Sequence, residues 1–436
     1  MAGSMNLAAQ EKLSYIEVDT STYQQYLRGE WKTLIHSGKD ALDQGINYYY
    51  LQMRIAYAYF MRQQYRTAIK YYRNALEFNS KDHVANEYLY YCYLFSGRLN
   101  DALIQTKSLT DVQKKAMNIS DSVSIVSLGL KYSYAFSDAS TIHGAIISDL
   151  IVLENGIQKT TNSFHLPKLE LSHRLGKHVI ANHSLSYLQK NEFSYAINNA
   201  VYISPEQLLN QLEYGISLEI APSKGWLIRP GFNYISLQVP LYEISNYGVN
   251  AGRDRMVFDY LSIKNRVFSI LVRREFSHFS IGLSAANNNF NRFSTTQAGI
   301  HLSVYPLSNL NLYFTSEYYY QLTRYNTQTE VNHIYNQVLG FKLQKNLWLE
   351  LSASIPENMN LYDIRNDISY NNIEKITYSW NATAIVPLYK PKLKIFAGFG
   401  SSVNSSYFFP DSDYLNPLNN HTYNNYIVTG GIRWTR

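Results

Sequence analysis

Leu310-Asn-Leu-Tyr-Phe-Thr-Ser-Glu-Tyr-Tyr-Tyr-Gln-Leu322 is the stretch that decides the fold. One parity carries Leu310, Leu312, Phe314, Ser316, Tyr318, Tyr320 and Leu322; the other carries Asn311, Tyr313, Thr315, Glu317, Tyr319 and Gln321. Side chains on a strand alternate between two faces, so this is a strand with one apolar face and one wet face. A soluble antiparallel sheet uses such a strand once or twice. Here the pattern returns at strand length from about residue 122 to the last residue. That repetition points to a transmembrane β-barrel.

Composition agrees. The chain has 436 residues, 46% of them apolar, with 40 tyrosines and 19 phenylalanines. Tyrosine suits a membrane–water boundary, being apolar in body and polar at the tip. The mean hydropathy of -0.27 looks soluble, but a barrel hides its apolar residues at every second position. No run of about 18 apolar residues occurs, which excludes helical membrane spans. The single cysteine, Cys92, excludes an intrachain disulfide framework and cysteine-rich metal sites. A net charge of +6 without a basic run does not argue for nucleic acid. Met1–Met5 reads as an expression leader; an outer-membrane protein requires a signal peptide, which this sequence does not carry.

From about Tyr23 to Leu109 the grammar is helical. A shift of 34 residues aligns Ile55 with Leu89, Tyr59 with Tyr93 and Ala68 with Ala102, the period of a helix–turn–helix repeat. Ala56, Ala68, Ala75 and Ala102 let paired helices approach closely, while Tyr59, Tyr72 and Tyr93 fill the gaps. Stacked repeats of this kind form a concave groove for a partner protein. The framework expected for that role is Ile55, Ala56, Tyr59, Ala68, Tyr72, Ala75, Leu89, Tyr93, Gly97 and Ala102. Cys92 is expected as a buried small hydrophobe.

After a polar linker the period changes to two. Strands are expected near 122–134, 163–174, 178–189, 207–221, 225–238, 258–275, 278–287, 292–305, 309–322, 332–345, 347–356, 373–389, 392–405 and 424–436. That makes about 14, within a range of 12–16, because the apolar run Gly144–Leu153 could add two short strands or a projecting hairpin. Short turns alternate with longer polar loops, the habit of outer-membrane barrels with short periplasmic turns. An even count puts both ends of the barrel on the periplasmic side. The expected division is 1–5 leader, 20–112 helical domain in the periplasm, and 120–436 outer-membrane barrel.

Facing follows from parity. Leu128, Leu130, Tyr132 and Tyr134, with Leu212, Ile216, Leu349 and Leu351, belong to the lipid side. Lumen candidates are Lys131, Glu213, Glu219, Arg229, Asn233, Glu317, Glu350, Lys394 and Arg433; their charges are either solvated lining or the selectivity elements of a translocation path. Aromatic residues of the outer loops, Tyr242 and Tyr407-Phe408-Phe409, either pack the loops or stack on sugar rings. No catalytic constellation emerges. His183 and Ser184 are neighbours on a strand and point to opposite faces, the other histidines lack metal-ligand spacing, and no phosphate-cradling or hydrolase motif occurs. Neither a metal nor a cofactor is expected.

Two resemblances follow from these residues. The helical copies resemble tetratricopeptide repeats: Ile55-Ala56, Tyr59, Ala68, Tyr72 and Ala75 stand where that family has Leu-Gly, Tyr, Ala, an aromatic and Ala. The second copy has Thr106 in place of the aromatic, and Ser80 stands in place of the terminal proline. The order of repeats followed by barrel is similar to the YaiO-like outer-membrane barrel family and to PgaA-type exopolysaccharide-export porins. This implies an α+β multidomain protein of the Gram-negative outer membrane whose repeats recruit a periplasmic partner. Trp434, two residues from the end, resembles the C-terminal aromatic signal of such barrels. Three functions are carried forward. They are export or passage of a polymer such as polysaccharide, a non-conducting anchor or accessory subunit of an envelope complex, and, as the third, a barrel-wall lipid-modifying enzyme.

Overall fold

The computed structural model describes residues 13–119, 125–150, 155–176, 178–197, 201–203, 206–245, 255–290, 293–324, 329–355, 361–364, 368–369, 374–389, 392–410 and 418–435. The leader Met1–Met5 lies outside them. Two compact units are present: residues 1–120 with the turns 276–278 and 305–310, and the remainder of the chain.

The first unit is built of α1 (Tyr15–Leu27), α2 (Trp31–Asp43), α3 (Tyr49–Met61), α4 (Tyr65–Phe78), α5 (His83–Phe95), α6 (Leu99–Gln105) and α7 (Asp111–Ala116). Three of its helix starts, those of α1, α5 and α7, are capped by short polar side chains. Ser14 and Glu17 form a reciprocal capping box at α1, Asp82 accepts from the Ala85 amide at α5, and Thr110 caps α7. These bonds satisfy amides that a helix leaves without partners. The Ser14 hydroxyl and amide hold the Glu17 carboxyl below its ordinary value. Consecutive helices pack over one core, which holds Leu34, Leu51, Ile55, Ala56, Ala68, Tyr72, Leu89 and Tyr93. Small residues set the spacing: a Cβ on Gly38 of α2 would lie 2.6 Å from Ile55 of α3. Gly97 turns the chain from α5 to α6 at φ +75, a conformation that glycine adopts without strain. The ten framework residues thus fall inside the module. All are fully buried or nearly so except Tyr59, which is partly buried and lies 5.3 Å from Tyr71, and Gly97 in its turn.

The second unit comprises β1 (Ile125–Ser137), a single turn of 3-10 helix (Ala139–Ile142), α8 (His143–Leu150), β2 (Gly156–Arg174), β3 (Val179–Ile197), β4 (Val201–Ile203), β5 (Gln207–Ile220), β6 (Trp226–Ser245), β7 (Arg255–Glu275), β8 (Phe279–Asn288), β9 (Ser294–Val304), β10 (Leu312–Arg324), β11 (Thr329–Gln344), β12 (Leu347–Ile355), β13 (Tyr362–Asp363), β14 (Ile368–Ser369), β15 (Lys375–Tyr389), β16 (Leu393–Pro410) and β17 (Leu418–Thr435). Fourteen of these strands pair antiparallel with their sequence neighbours, and β17 pairs with β1, closing the barrel. β4 is a short addition to β3, and β13 pairs only with β14. Closure leaves the staves without an open edge, as a strand in lipid requires.

Two features depart from expectation. In the stretch 144–153, the described residues 144–150 form no strand or hairpin but belong to the helix α8, and 151–153 lie outside the described residues. Ile142, Ile146 and Ile147 are spaced for one helical side, and they pack against Phe193, Tyr195 and Phe408. Phe408 is fully buried there, so it packs the loop. The side chain of Tyr242 lies outside the described residues. Several staves also run further than expected on the long-loop side, with β2 starting at Gly156 and β16 reaching Pro410. Those extensions, such as Gln158-Lys159-Thr160-Thr161, lack the apolar parity that marks a lipid-facing strand.

The register confirms one face for each parity. Lys131 stands opposite Lys168, Lys168 opposite Ser186, Ser186 opposite Glu213, and Glu213 opposite Ile235. Beyond the far side, Glu350 stands opposite Gly340 and Thr383, Thr383 opposite Gly398, and Lys394 opposite Arg433. The other parity exposes Leu128, Leu130, Leu212, Phe268, Leu283 and Leu351 among many large apolar side chains. Leu283, near the middle of β8, is 61% exposed. Replacing it with arginine (Leu283→Arg) is expected to cost about 2–4 kcal/mol in a lipid bilayer. Its inward neighbour Ser284 donates to or accepts from His301 at 2.7 Å, and Ser284→Ala should cost no more than about 1 kcal/mol. Urea unfolding from bilayers measures both; equal losses would contradict the facing.

In the helical unit Cys92 is fully buried, and burial pushes its thiol well above the ordinary value. The thiolate is the reactive form. Maleimide at neutral pH should therefore leave the folded chain unlabelled and label it fully after denaturation.

Candidate functional site in the barrel lumen

The lumen is lined by the inward parity and contains part of the chain itself. Between β12 and β15 the segment Leu361–Ile364 lies against the inner wall, each of its residues 5% exposed or less. Its seat is an apolar sector of that wall. Tyr362 and Ile364 pack with Ile235, Val267, Leu271, Ala286 and Phe290, and Leu361 packs with Tyr319 and Ile334. These wall residues occupy inward positions where a simple barrel would place polar side chains. Burying the segment removes apolar surface that water would otherwise cover.

Polar bonds fix the segment's register. The Gln297 side-chain amide donates to the Tyr362 carbonyl at 2.7 Å, and the Tyr362 amide donates to the Gln297 Oε1 at 3.1 Å. One glutamine thus substitutes for a neighbouring strand. The Tyr362 hydroxyl donates to Asn233 Oδ1 at 3.1 Å, and Asn233 donates to Glu213 at 2.8 Å. Where the chain re-enters the wall, Glu374 accepts from the Thr161 amide at 3.0 Å and the Thr161 hydroxyl at 2.5 Å. Tyr423 donates to the same carboxylate, and Lys190 lies 3.7 Å from it. Lys190 and Lys159 both pair with Glu192, at 3.3 Å and 2.6 Å. All these groups are inside the barrel and largely buried, where an unmatched charge would be costly.

All eight charged lumen candidates fall on the inward parity, but they do not form one cluster. Glu213 is tied to Asn233; Glu317 is buried beside His301 at 3.4 Å and accepts from Tyr319 at 3.3 Å. Glu350 accepts from Tyr313 at 2.5 Å, and Arg229 donates to Ser217 at 3.3 Å. Glu219 lies on the same face of β5 as Glu213. Lys131, Lys394 and Arg433 share one sector of the wall on β1, β16 and β17. Lys168, Glu170, Lys190, Glu192, Gln297 and Glu374 belong to the same lining and were absent from the sequence-derived set. Lys168 and Glu170 alternate on β2 as inward residues should, so parity carried a signal for them.

His183 and Ser184 lie on opposite faces, as alternation requires. His183 faces outward, where its Nε2 meets His173 Nε2 at 3.0 Å and its Nδ1 meets the Tyr214 hydroxyl at 2.7 Å. Among the described residues no group of three or more metal-ligating side chains occurs, and no helix is long and apolar enough to cross a membrane.

A closed 14-strand antiparallel barrel with an apolar exterior and a polar, charged interior is a channel-like transmembrane β-barrel of the outer-membrane type. No family model and no curated protein matches the sequence. Among solved structures the chain is similar to the Pseudomonas putida toluene transporter TodX, at 6% identity, 73% of this chain, 92% of that one and a TM-score of 0.43. It is also similar to a Pseudomonas aeruginosa FadL homologue, at 8% identity, 73% and 92% coverage and 0.41. A third is the KdgM porin in complex with disordered oligogalacturonate, at 11% identity, 71% and 99% coverage and 0.28.

Gln297→Ala removes both backbone bonds of Tyr362. Loss of a buried hydrogen bond costs about 1–3 kcal/mol, so exchange of the Tyr362 amide should accelerate by roughly 5- to 150-fold. Hydrogen-exchange mass spectrometry on the detergent-solubilised chain measures this. Unchanged exchange would mean that the apolar seat alone holds the segment.

Proposed function

We propose that this chain is a gated passage channel of the outer membrane, and not an enzyme, with Leu361–Ile364 as the gate. The observation that carries this reading is the seat of that segment: a lumen lined by charged and polar side chains, narrowed by four residues held through a few bonds and two apolar clusters. Bonds of this number are few enough for a bound cargo to offset. The cargo proposed is a polymer, with polysaccharide as the class that the resemblance in chain order implies. The helical unit is proposed to be a tetratricopeptide-type module in the periplasm that recruits a partner delivering the polymer, its buried framework giving the stiffness that a groove needs.

An occupied lumen also favours a second reading, a non-conducting anchor in an envelope assembly. Planar-bilayer recording separates the two. The full chain should be nearly silent, and the quadruple variant Leu361→Gly, Tyr362→Gly, Asp363→Ser, Ile364→Gly should give steady open channels, with or without residues 1–115. A variant that inserts and folds yet stays silent overturns the channel reading and leaves the anchor.

A further inference from the structure

Two histidines meet on the outward side of the β2–β3 hairpin, on a parity that otherwise carries leucine. His173 follows Leu169 and Leu171 on that face of β2, and His183 precedes Leu185 on β3. The antiparallel register sets His183 opposite Leu171 and His173 opposite Ala181, so the two imidazoles meet on a diagonal beside a small residue. Their Nε2 atoms are 3.0 Å apart, and the ring planes lie within 8° of each other. Only one hydrogen fits between two nitrogens at that distance, so one ring gives an N–H and the other a lone pair. On its other side, His183 Nδ1 meets the Tyr214 hydroxyl at 2.7 Å. When that Nδ1 carries the hydrogen and donates to Tyr214, the Nε2 lone pair of His183 is left facing His173.

This spacing suits a cation. Two imidazole nitrogens bound to one zinc ion at about 2.0–2.1 Å, at right-angled to tetrahedral geometry, stand roughly 2.9–3.4 Å apart. The 3.0 Å pair falls within that span. A turn of each ring about its soft terminal torsion aims both lone pairs at one point. Tyr214 supplies what metal-bound imidazoles generally have, an acceptor for the second ring nitrogen that fixes which nitrogen faces the metal. His173 is also the next-to-last residue of β2, so an ion reaches the pair from the water at the strand end. We propose that His173 and His183 bind one late first-row divalent transition metal ion, zinc, nickel or copper, which clips β2 to β3 from outside the barrel. Imidazole suits these metals, whereas magnesium and calcium require oxygen ligands. Binding moves the hydrogen of His173 from Nε2 to Nδ1 and leaves both rings neutral. The protein gives two ligands and water fills the other positions, so the ion exchanges, unlike one held by four protein ligands. The site is independent of what crosses the lumen.

The test uses the full chain in dodecyl maltoside. Isothermal titration calorimetry should show a zinc chloride site and none for magnesium chloride. The chain has 11 histidines, so the assignment is read from variants. His173→Gln and His183→Gln should each weaken zinc binding by at least about tenfold, and Tyr214→Phe by about tenfold. Electron paramagnetic resonance of bound copper(II) should show two imidazole nitrogens in the wild type and at most one in either histidine variant. Equal zinc affinity in the wild type and both histidine variants overturns the proposal, as does a wild type without a zinc site. If the histidine variants fail to fold, Tyr214→Phe decides, and unaltered zinc affinity there overturns the proposal as well.

Discussion

Every stave of this barrel depends on the bond between its last strand and its first. In hydrocarbon a backbone amide without a partner costs several kcal/mol, so an open sheet of this size could not stand in a membrane. The ladder from Ser127–Thr435 to Ser137–Asn425 joins β1 to β17 and removes both edges. Closure then forces a choice of face at every residue. Because side chains alternate, the parity that puts Leu128 and Leu130 outward also puts Lys131 inward, and the ladders carry that choice around all 14 staves.

The same constraint explains why the outer wall was legible from residues alone while much of the interior was not. Lipid accepts one chemistry, so Leu212, Tyr214, Leu349 and Leu351 announce their face. Water and protein accept many. Ile235, Val267 and Leu271 sit on the inner parity yet are apolar, which blurs alternation where β6 and β7 meet the inserted segment. The residues that seat it, Leu361, Tyr362 and Ile364, stand in a connection that is mostly polar. Read together, apolar residues on the wet parity and an apolar triplet in a polar loop are one signal, because each needs the other to leave water. Neither is informative alone. Pairing by Gln297 was beyond reach, since a side-chain amide imitating a strand leaves no periodic trace.

The helices illustrate the converse. The 34-residue spacing pointed to helices with a shared core, and Ile55, Ala68, Tyr72 and Leu89 are buried in the core that the packed helices share. Periodicity of this kind reports packing. It is silent about the exposed side chains that would meet a partner, which follow no period. The stretch Gly144–Leu153 failed for a related reason: ten residues are too few to separate alternation from a helical side, and only the neighbours Tyr195 and Phe408 settle it.

Stability and function pull apart inside the lumen. Around Glu374 the charges are matched, donor to acceptor, and deeply buried; such a cluster holds the base of the inserted segment to the wall and has little reason to change. Around Gly129 the arrangement is the opposite. Cations face cations across β1 and β2 and across β16 and β17, with glycine where a side chain could have filled the space. A sheet selected for stability alone would replace one member of each pair at once, because a single Lys to Glu change would turn repulsion into attraction. The wall thus divides its charges, with matched pairs where the inserted segment is anchored and like pairs on the sector of β1, β2, β16 and β17.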